Sequence, residues 1–201
     1  MLRVMVIGQK WLGAEIWQLC REKCGIEPII AAVPSIDDRL AKAAKAGGGS
    51  AIEHGPIIDA KDVPAEIDLI VAAHAHCFIT EAARRRARLG AIGYHPSLLP
   101  LHRGRDAVRW AIRDHDRITG GSVYWLNDKA DAGEIAAQDW CFIRPGDDAA
   151  SLWRRELAPM GCRLMQKVLS DIAAGKIVAV PQEENLATWE PAIRGNLSRL
   201  A

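Results

Sequence analysis

The chain has 201 residues, 49% apolar and 25% charged, and its 26 basic and 25 acidic side chains leave a formal charge of +1. This is the profile of an ordinary globular protein, and it supplies no electrostatic reason to bind nucleic acid or an anionic membrane. No apolar run approaches the length of a membrane span, and the first strand starts too early to leave room for a signal peptide, so a reducing, cytoplasmic compartment is expected.

Residues 4–7 form a continuous apolar run stopped by Gly8, which reads as a buried strand. A helix over 12–23 follows, with Leu12, Ile16, Leu19 and Cys20 on one face and Gly25 as its stop. Cys20 and Cys24 lie one turn apart on it and read as small buried hydrophobes; the five cysteines have no zinc-type spacing. Residues 29–33 give a second buried strand, 37–45 a second helix, and the region near Ile52 a weak strand. A linker runs through Pro56 and Pro64, and residues 69–73 form a strong central strand. Thr80 is a plausible N-cap for a helix over 81–89. Residues 90–95 read as a Gly stop feeding a short strand.

Short apolar strands alternating with helices predict an α/β fold, a doubly wound and mostly parallel sheet. After a helix at 107–113 the pattern changes. Residues 119–126 and 135–143 pair as a long hairpin. Asp147 or Asp148 caps a final long helix over 150–173, with Pro159 as a kink. From Val180 the chain is extended. We expect one catalytic domain over 1–201, with 180–201 as a tail and no separate C-terminal acceptor-binding domain. The seven tryptophans have no explanation in composition.

His95 is the most informative residue. Pro96 and Pro100 stiffen the loop after it, and Pro96 biases His95 toward extended geometry. An imidazole is thus presented at a strand end, where open α/β sheets bind ligands, and is a candidate for proton transfer. Asp131 lies in the loop 127–133, which is longer than a hairpin needs. Brought beside His95, its carboxylate would orient the imidazole and help manage a proton.

Other motifs have blander readings. The turn 8–13 lacks both the dinucleotide and the P-loop pattern and reads as a tight turn, although its helix end can bind an anion. His74 and His76 could ligate zinc, but without a completed ligand set they read as pocket-lining, and no metal is expected. Arg84, Arg85, Arg86 and Arg88 read as a solvated helix face.

The motif His95-Pro96-Ser97-Leu98-Leu99-Pro100, followed by Arg103-Gly104, Asp131-Ala132-Gly133 and Gln138, resembles the catalytic domain of the 10-formyltetrahydrofolate-dependent formyltransferases. The resemblance covers essentially the whole chain. It is nearest in motif to the hydrolase domain of 10-formyltetrahydrofolate dehydrogenase, through Tyr94, His102, Gly120-Gly121, Trp125, the segment 181–184 and the segment 187–190. It implies a Rossmann-like formyltransferase sheet, with His95 and Asp131 as the catalytic pair. His76, Cys77, Phe78 and Ile79, with Asn127, Asp128, Lys129 and Ala130, would line the folate pocket. Ser97, Leu98, Arg103, Gly104, Arg105 and Lys10 would serve the loop or the acceptor, Lys10 and Arg105 suiting an anionic one.

The implied donor is 10-formyltetrahydrofolate, released as tetrahydrofolate. The leading expectation is transfer to a small amine, such as a sugar amine. The alternatives are transfer to water, which makes a hydrolase, and a folate-binding module without catalysis. A small molecule is the expected partner, and a homodimer stays open. One departure stands out. Formyltransferases usually carry Asn two positions before the histidine, and Gly93 stands there instead. The dehydrogenase's domain also lacks that Asn. Loss of such an oxyanion donor typically costs about 100- to 1,000-fold in rate. Gly93 is also expected to leave room beside the histidine for an acceptor.

Overall fold

Val4 to Ile7 do not alternate in polarity, and all four are fully buried, as a strand covered on both faces requires. In the computed structural model, which describes residues 1–193, they lie in β1 (Arg3–Gly8). Then come α1 (Lys10–Lys23), β2 (Glu27–Val33), α2 (Arg39–Ala46), β3 (Ser50–Glu53), β4 (Ile57–Ile58), β5 (Leu69–Ala73), β6 (Phe78–Ile79), α3 (Glu81–Arg86) and β7 (Ala91–His95). After β7 follow α4 (Ala107–Arg113), β8 (Ile118–Trp125), β9 (Ile135–Phe142), α5 (Ala149–Leu152) and α6 (Ala158–Ala173).

The main sheet has the order β3-β2-β1-β5-β7-β8-β9. Its first five strands run parallel, while β8 is antiparallel to both β7 and β9. The chain leaves β1 toward β2 and β3, then returns to β5 and β7 on the other side. This makes the C-terminal ends of β1 and β5 the topological switch point, where such sheets open a crevice. Val4, Val6, Val71 and Ile92 face α1, α2 and α6 in one core. Met5, Ile7 and Ile70 face Ile58, Val63, Ile67, Ile79 and Ala83 in the other. The doubly wound expectation and the hairpin both hold.

Several boundaries differ from the sequence reading. The linker contains β4, which pairs in parallel with β6, a two-residue ladder too short to leave a periodic signal. The helix capped by Thr80 stops at Arg86 rather than residue 89, although Thr80 Oγ1 does accept from the Ala83 N–H at 3.1 Å. Asp148 caps the final helix, which is broken by a π-turn at Trp153–Leu157 just ahead of Pro159. Pro159 has no N–H to close a regular turn there, and the wider turn absorbs that loss. The solvated-face reading holds for Arg85, Arg86 and Arg88, which are exposed, and fails for Arg84, which is buried and whose Nη1 donates to the Ile79 carbonyl at 2.7 Å. Its other end pairs with Asp128, so it ties β6 to the loop after β8. Residues 194–201 of the expected tail lie outside the described residues. No described helix is long and apolar enough to cross a membrane.

The loop after β7 is fastened to the sheet through one hydroxyl. Ser122 is fully buried, and its Oγ donates to the Ser97 carbonyl at 2.7 Å. The same oxygen accepts from the Leu99 N–H at 3.1 Å and from Gln138 Nε2 at 2.8 Å. Ser122→Ala takes a partner from the Ser97 carbonyl and the Leu99 N–H, while Gln138 Nε2 keeps the Leu99 carbonyl, and we expect a loss of about 2–3 kcal/mol in urea unfolding. A loss below about 0.5 kcal/mol would show that this hydroxyl does not hold the loop.

Candidate active site

His95 is the last residue of β7 and is buried. Its Nε2 lies 2.7 Å from the His102 carbonyl oxygen. A carbonyl can only accept, so Nε2 carries the proton and the imidazole's remaining nitrogen is free for chemistry. That nitrogen, Nδ1, lies 3.7 Å from Asp131 Oδ2. The separation is too long for a direct hydrogen bond, but it lets both atoms reach one intervening oxygen or nitrogen at normal length.

Asp131 is itself fixed. Oδ2 accepts from the Gly104 N–H at 2.7 Å, and Oδ1 accepts from the Tyr124 hydroxyl at 2.6 Å. Burial and the neighbouring Asp131 carboxylate push the Tyr124 phenol well above its usual range, so it stays a donor. Asp131 adopts φ +52°, a left-handed conformation that a non-glycine residue keeps only when its surroundings demand it. Tyr124 was missed in the sequence reading. Its place in the alternating strand β8, at a position facing the loop after it, was the available signal.

The tail closes over this loop. Its backbone runs beside residues 100–103, with the Thr188 N–H donating to Pro100, the Arg103 N–H to Thr188 and the Glu190 N–H to Arg103. The buried Arg103 guanidinium donates to Gln182 Oε1 and to both oxygens of Glu184. Gln182 Nε2 donates to the carbonyls of Asp131 and Gly133. Trp125 and Trp110 give their indole N–H groups to the carbonyls of Val178 and Pro191. Two of the seven tryptophans therefore pin the tail.

Two clefts open at this edge. One of about 200 Å³ is lined by Gly8, Gln9, His54, His74 and His76 at the switch point. The other, of about 410 Å³, lies among Arg103, Lys129, Ala130, Ala132, Thr188 and Trp189. Burial, then the mutual influence of His76, lowers the His74 imidazole to about 4; burial, then Arg105, lowers His76. Both are neutral near pH 7, so Lys10 and Arg105 supply the positive charge on this side. Among the described residues no third ligating side chain closes a set with His74 and His76. Burial pushes the Cys77 thiol up to about 11, which keeps it from acting as a thiolate.

Other expected site residues have different work. Ser97 is fully buried and donates to the Leu101 carbonyl at 2.6 Å, so it shapes the loop. Leu98 packs against Gly120. Phe78 and Ile79 commit their backbone to β4, as the Phe78 N–H donates to Pro56 and the Ile58 carbonyl accepts from Thr80. Asn127 Oδ1 accepts from the Lys129 N–H and turns the loop that carries Asp128 and Ala130. The start of α1, read as a tight turn whose helix end could bind an anion, is occupied by a carboxylate of the chain itself. Asp38 accepts from the Lys10 N–H with both carboxylate oxygens and caps α2 through the Leu40 N–H.

The expected space at Gly93 is also corrected. A Cβ there would lie 3.0 Å from Leu126 Cδ1 and 3.4 Å from the Tyr124 ring. An apolar side chain from the end of β8 fills the place beside the histidine.

Known proteins resemble this chain over most of its length. Human cytosolic 10-formyltetrahydrofolate dehydrogenase is 32% identical over 202 residues, and the mouse mitochondrial form is 34% identical over 206. Both matches cover 94% of this chain but only 22% of the relative, so the chain spans about a fifth of those proteins. The crystal structure of glycinamide ribonucleotide transformylase 1 from Symbiobacterium toebii superposes with a TM-score of 0.75 at 18% identity, covering 90% of this chain and 94% of that one. HypX from Aquifex aeolicus superposes with a TM-score of 0.69, covering 96% of this chain and 30% of that one at 18% identity. At such identities the likeness is one of fold. Residues 28–169 match the formyl transferase family, and the chain belongs to that family of enzymes.

Proposed function

We propose that the chain moves the formyl group of 10-formyltetrahydrofolate to a small amine acceptor. The observation that carries this reading is the pairing of His95 and Asp131, with the histidine's Nε2 proton committed to the His102 carbonyl. In this reading the acceptor's nitrogen attacks the formyl carbon. His95, protonated at Nδ1, donates to the oxyanion that develops on the formyl oxygen, while Asp131 accepts the proton that the attacking nitrogen sheds. The tetrahedral centre collapses as the oxyanion re-forms the formyl C=O and breaks the bond to the folate nitrogen. That nitrogen leaves with the proton that Asp131 took from the acceptor, while His95 keeps its own. The loops at 76–79 and 127–130 are the proposed folate contacts, and Lys10 and Arg105 suit an acceptor that also carries negative charge.

A second reading, in which water is the acceptor and formate the product, is favoured by one observation. Leu126 fills the place where an oxyanion-binding amide would sit. Incubating the protein with 10-formyltetrahydrofolate, with and without a panel of amino sugars and other small amines, separates the two. Formylated amine formed faster than formate supports transfer; equal formate release with or without amine supports hydrolysis. No tetrahydrofolate under either condition, with the donor bound, would leave a folate-binding module.

Four substitutions test the site. His95→Ala and Asp131→Ala should each lower turnover about 100-fold or more, and near-normal rates in both would reject the assignment. Tyr124→Phe removes one of the two donors that aim Asp131. We expect a fall in kcat of about 10- to 100-fold with little change in KM. Gly93→Asn should lower both activity and stability, because its side chain must displace Leu126, and adding Leu126→Ala should restore part of each. An increase in transfer from Gly93→Asn alone would show that Leu126 does not occupy that place.

A further inference from the structure

The tail's register places Glu190 beside His102, outside the chemistry proposed above. The Glu190 N–H donates to the Arg103 carbonyl, so the two side chains meet at the edge where α4 ends. His102 is more than nine-tenths buried, and its Nε2 lies 2.8 Å from Asp116 Oδ2. A carboxylate held on one ring nitrogen fixes the tautomer and leaves the lone pair of the other, Nδ1, pointing away from it. This is the arrangement by which proteins orient histidine ligands of metals.

Nδ1 has no hydrogen-bond partner, and neither does the buried Oε2 of Glu190. Nδ1 faces Glu190 Oε1 at 3.3 Å without the geometry of a hydrogen bond. That separation has a metal-site counterpart. With metal–ligand distances near 2.1 Å, two ligands of a tetrahedral zinc site stand about 3.4 Å apart. Asp114, in the turn after α4, completes the group: one ligand atom from each of His102, Asp114 and Glu190 lies within 4.8 Å of the others. Asp114 is exposed. Among the described residues Asp116 and Glu190 pair with His102 and with no lysine or arginine, so the carboxylates here share one imidazole.

We infer that His102, Asp114 and Glu190 bind one divalent transition-metal ion of the zinc class, oriented by Asp116. The remaining coordination position opens to solvent beside Asp114. The ion would join three distant segments, fastening the tail to the loop whose His102 carbonyl holds His95. The inference does not depend on formyl chemistry, since its ligands are those of a structural clasp.

The test is titration of the full chain, stripped with chelator and re-equilibrated, with Zn²⁺ and separately with Co²⁺. One equivalent should bind saturably, Co²⁺ should develop visible d–d absorption, and Zn²⁺ should slow proteolysis of the tail. Glu190→Gln and Asp114→Asn, the second a surface change that leaves the core untouched, should each weaken binding at least tenfold. His76→Ala, at the other histidine cluster, should leave it unchanged. Absence of saturable binding would overturn the inference. So would binding that survives both carboxylate substitutions, or that is lost in His76→Ala.

Discussion

One hydrogen bond sets the chemistry of this site: the Nε2 proton of His95 held by the His102 carbonyl. It decides which nitrogen faces the reaction, because an imidazole with Nε2 committed has only Nδ1 to offer. The position of Asp131 matters only because of this choice. Its Oδ2 lies 3.7 Å from Nδ1, close enough for one reacting group to touch both. Were Nε2 the free nitrogen, Asp131 would stand on the wrong side of the ring.

The His102 carbonyl can hold this bond only if the loop after β7 does not move. That loop is fastened from two sides. From the sheet, Ser122 and Gln138 engage the backbone of Ser97 and Leu99. From the tail, Thr188 Oγ1 accepts from the His102 N–H at 2.7 Å, and Gln182 and Glu184 grip Arg103. Left-handed backbone at Lys10, His74, His102, Asp106 and Asp131 clusters in the loops that follow the sheet strands. Each such residue typically costs about 1–2 kcal/mol, and fixed surroundings have to sustain that strain. The tail is thus a part of the site and not an appendage.

The fold was legible because its signals were long. Four to five buried apolar residues per parallel strand, helices with one apolar face and an alternating hairpin leave few arrangements. The pair proposed for the chemistry drew notice through the stiff Pro-flanked loop at His95 and the overlong turn at Asp131, and the fold brings the two within 3.7 Å. What escaped the sequence was what depends on contacts between distant segments. Arg84 sits in a run that looks solvated, yet it is buried because Ile79 and Asp128 arrive from elsewhere to meet it. Gly93 reads as space, yet Leu126 fills it from the residue just past β8. Asp38 falls inside the helix read over 37–45, and in fact it caps that helix while also accepting from the first N–H of another. No local pattern records such partnerships.

The account stands on the tautomer of His95, and long-range ¹H–¹⁵N correlation NMR reads it directly. With the protein in its neutral-imidazole state, the account predicts that His95 carries its proton on Nε2, with Nδ1 showing the shift of an unprotonated nitrogen. In the Asp131→Asn variant the same tautomer should persist, because the carbonyl of His102 sets it. A neutral His95 protonated on Nδ1 would contradict the account, since Nε2 would then have no proton to give the His102 carbonyl and the bond that sets the tautomer would not exist.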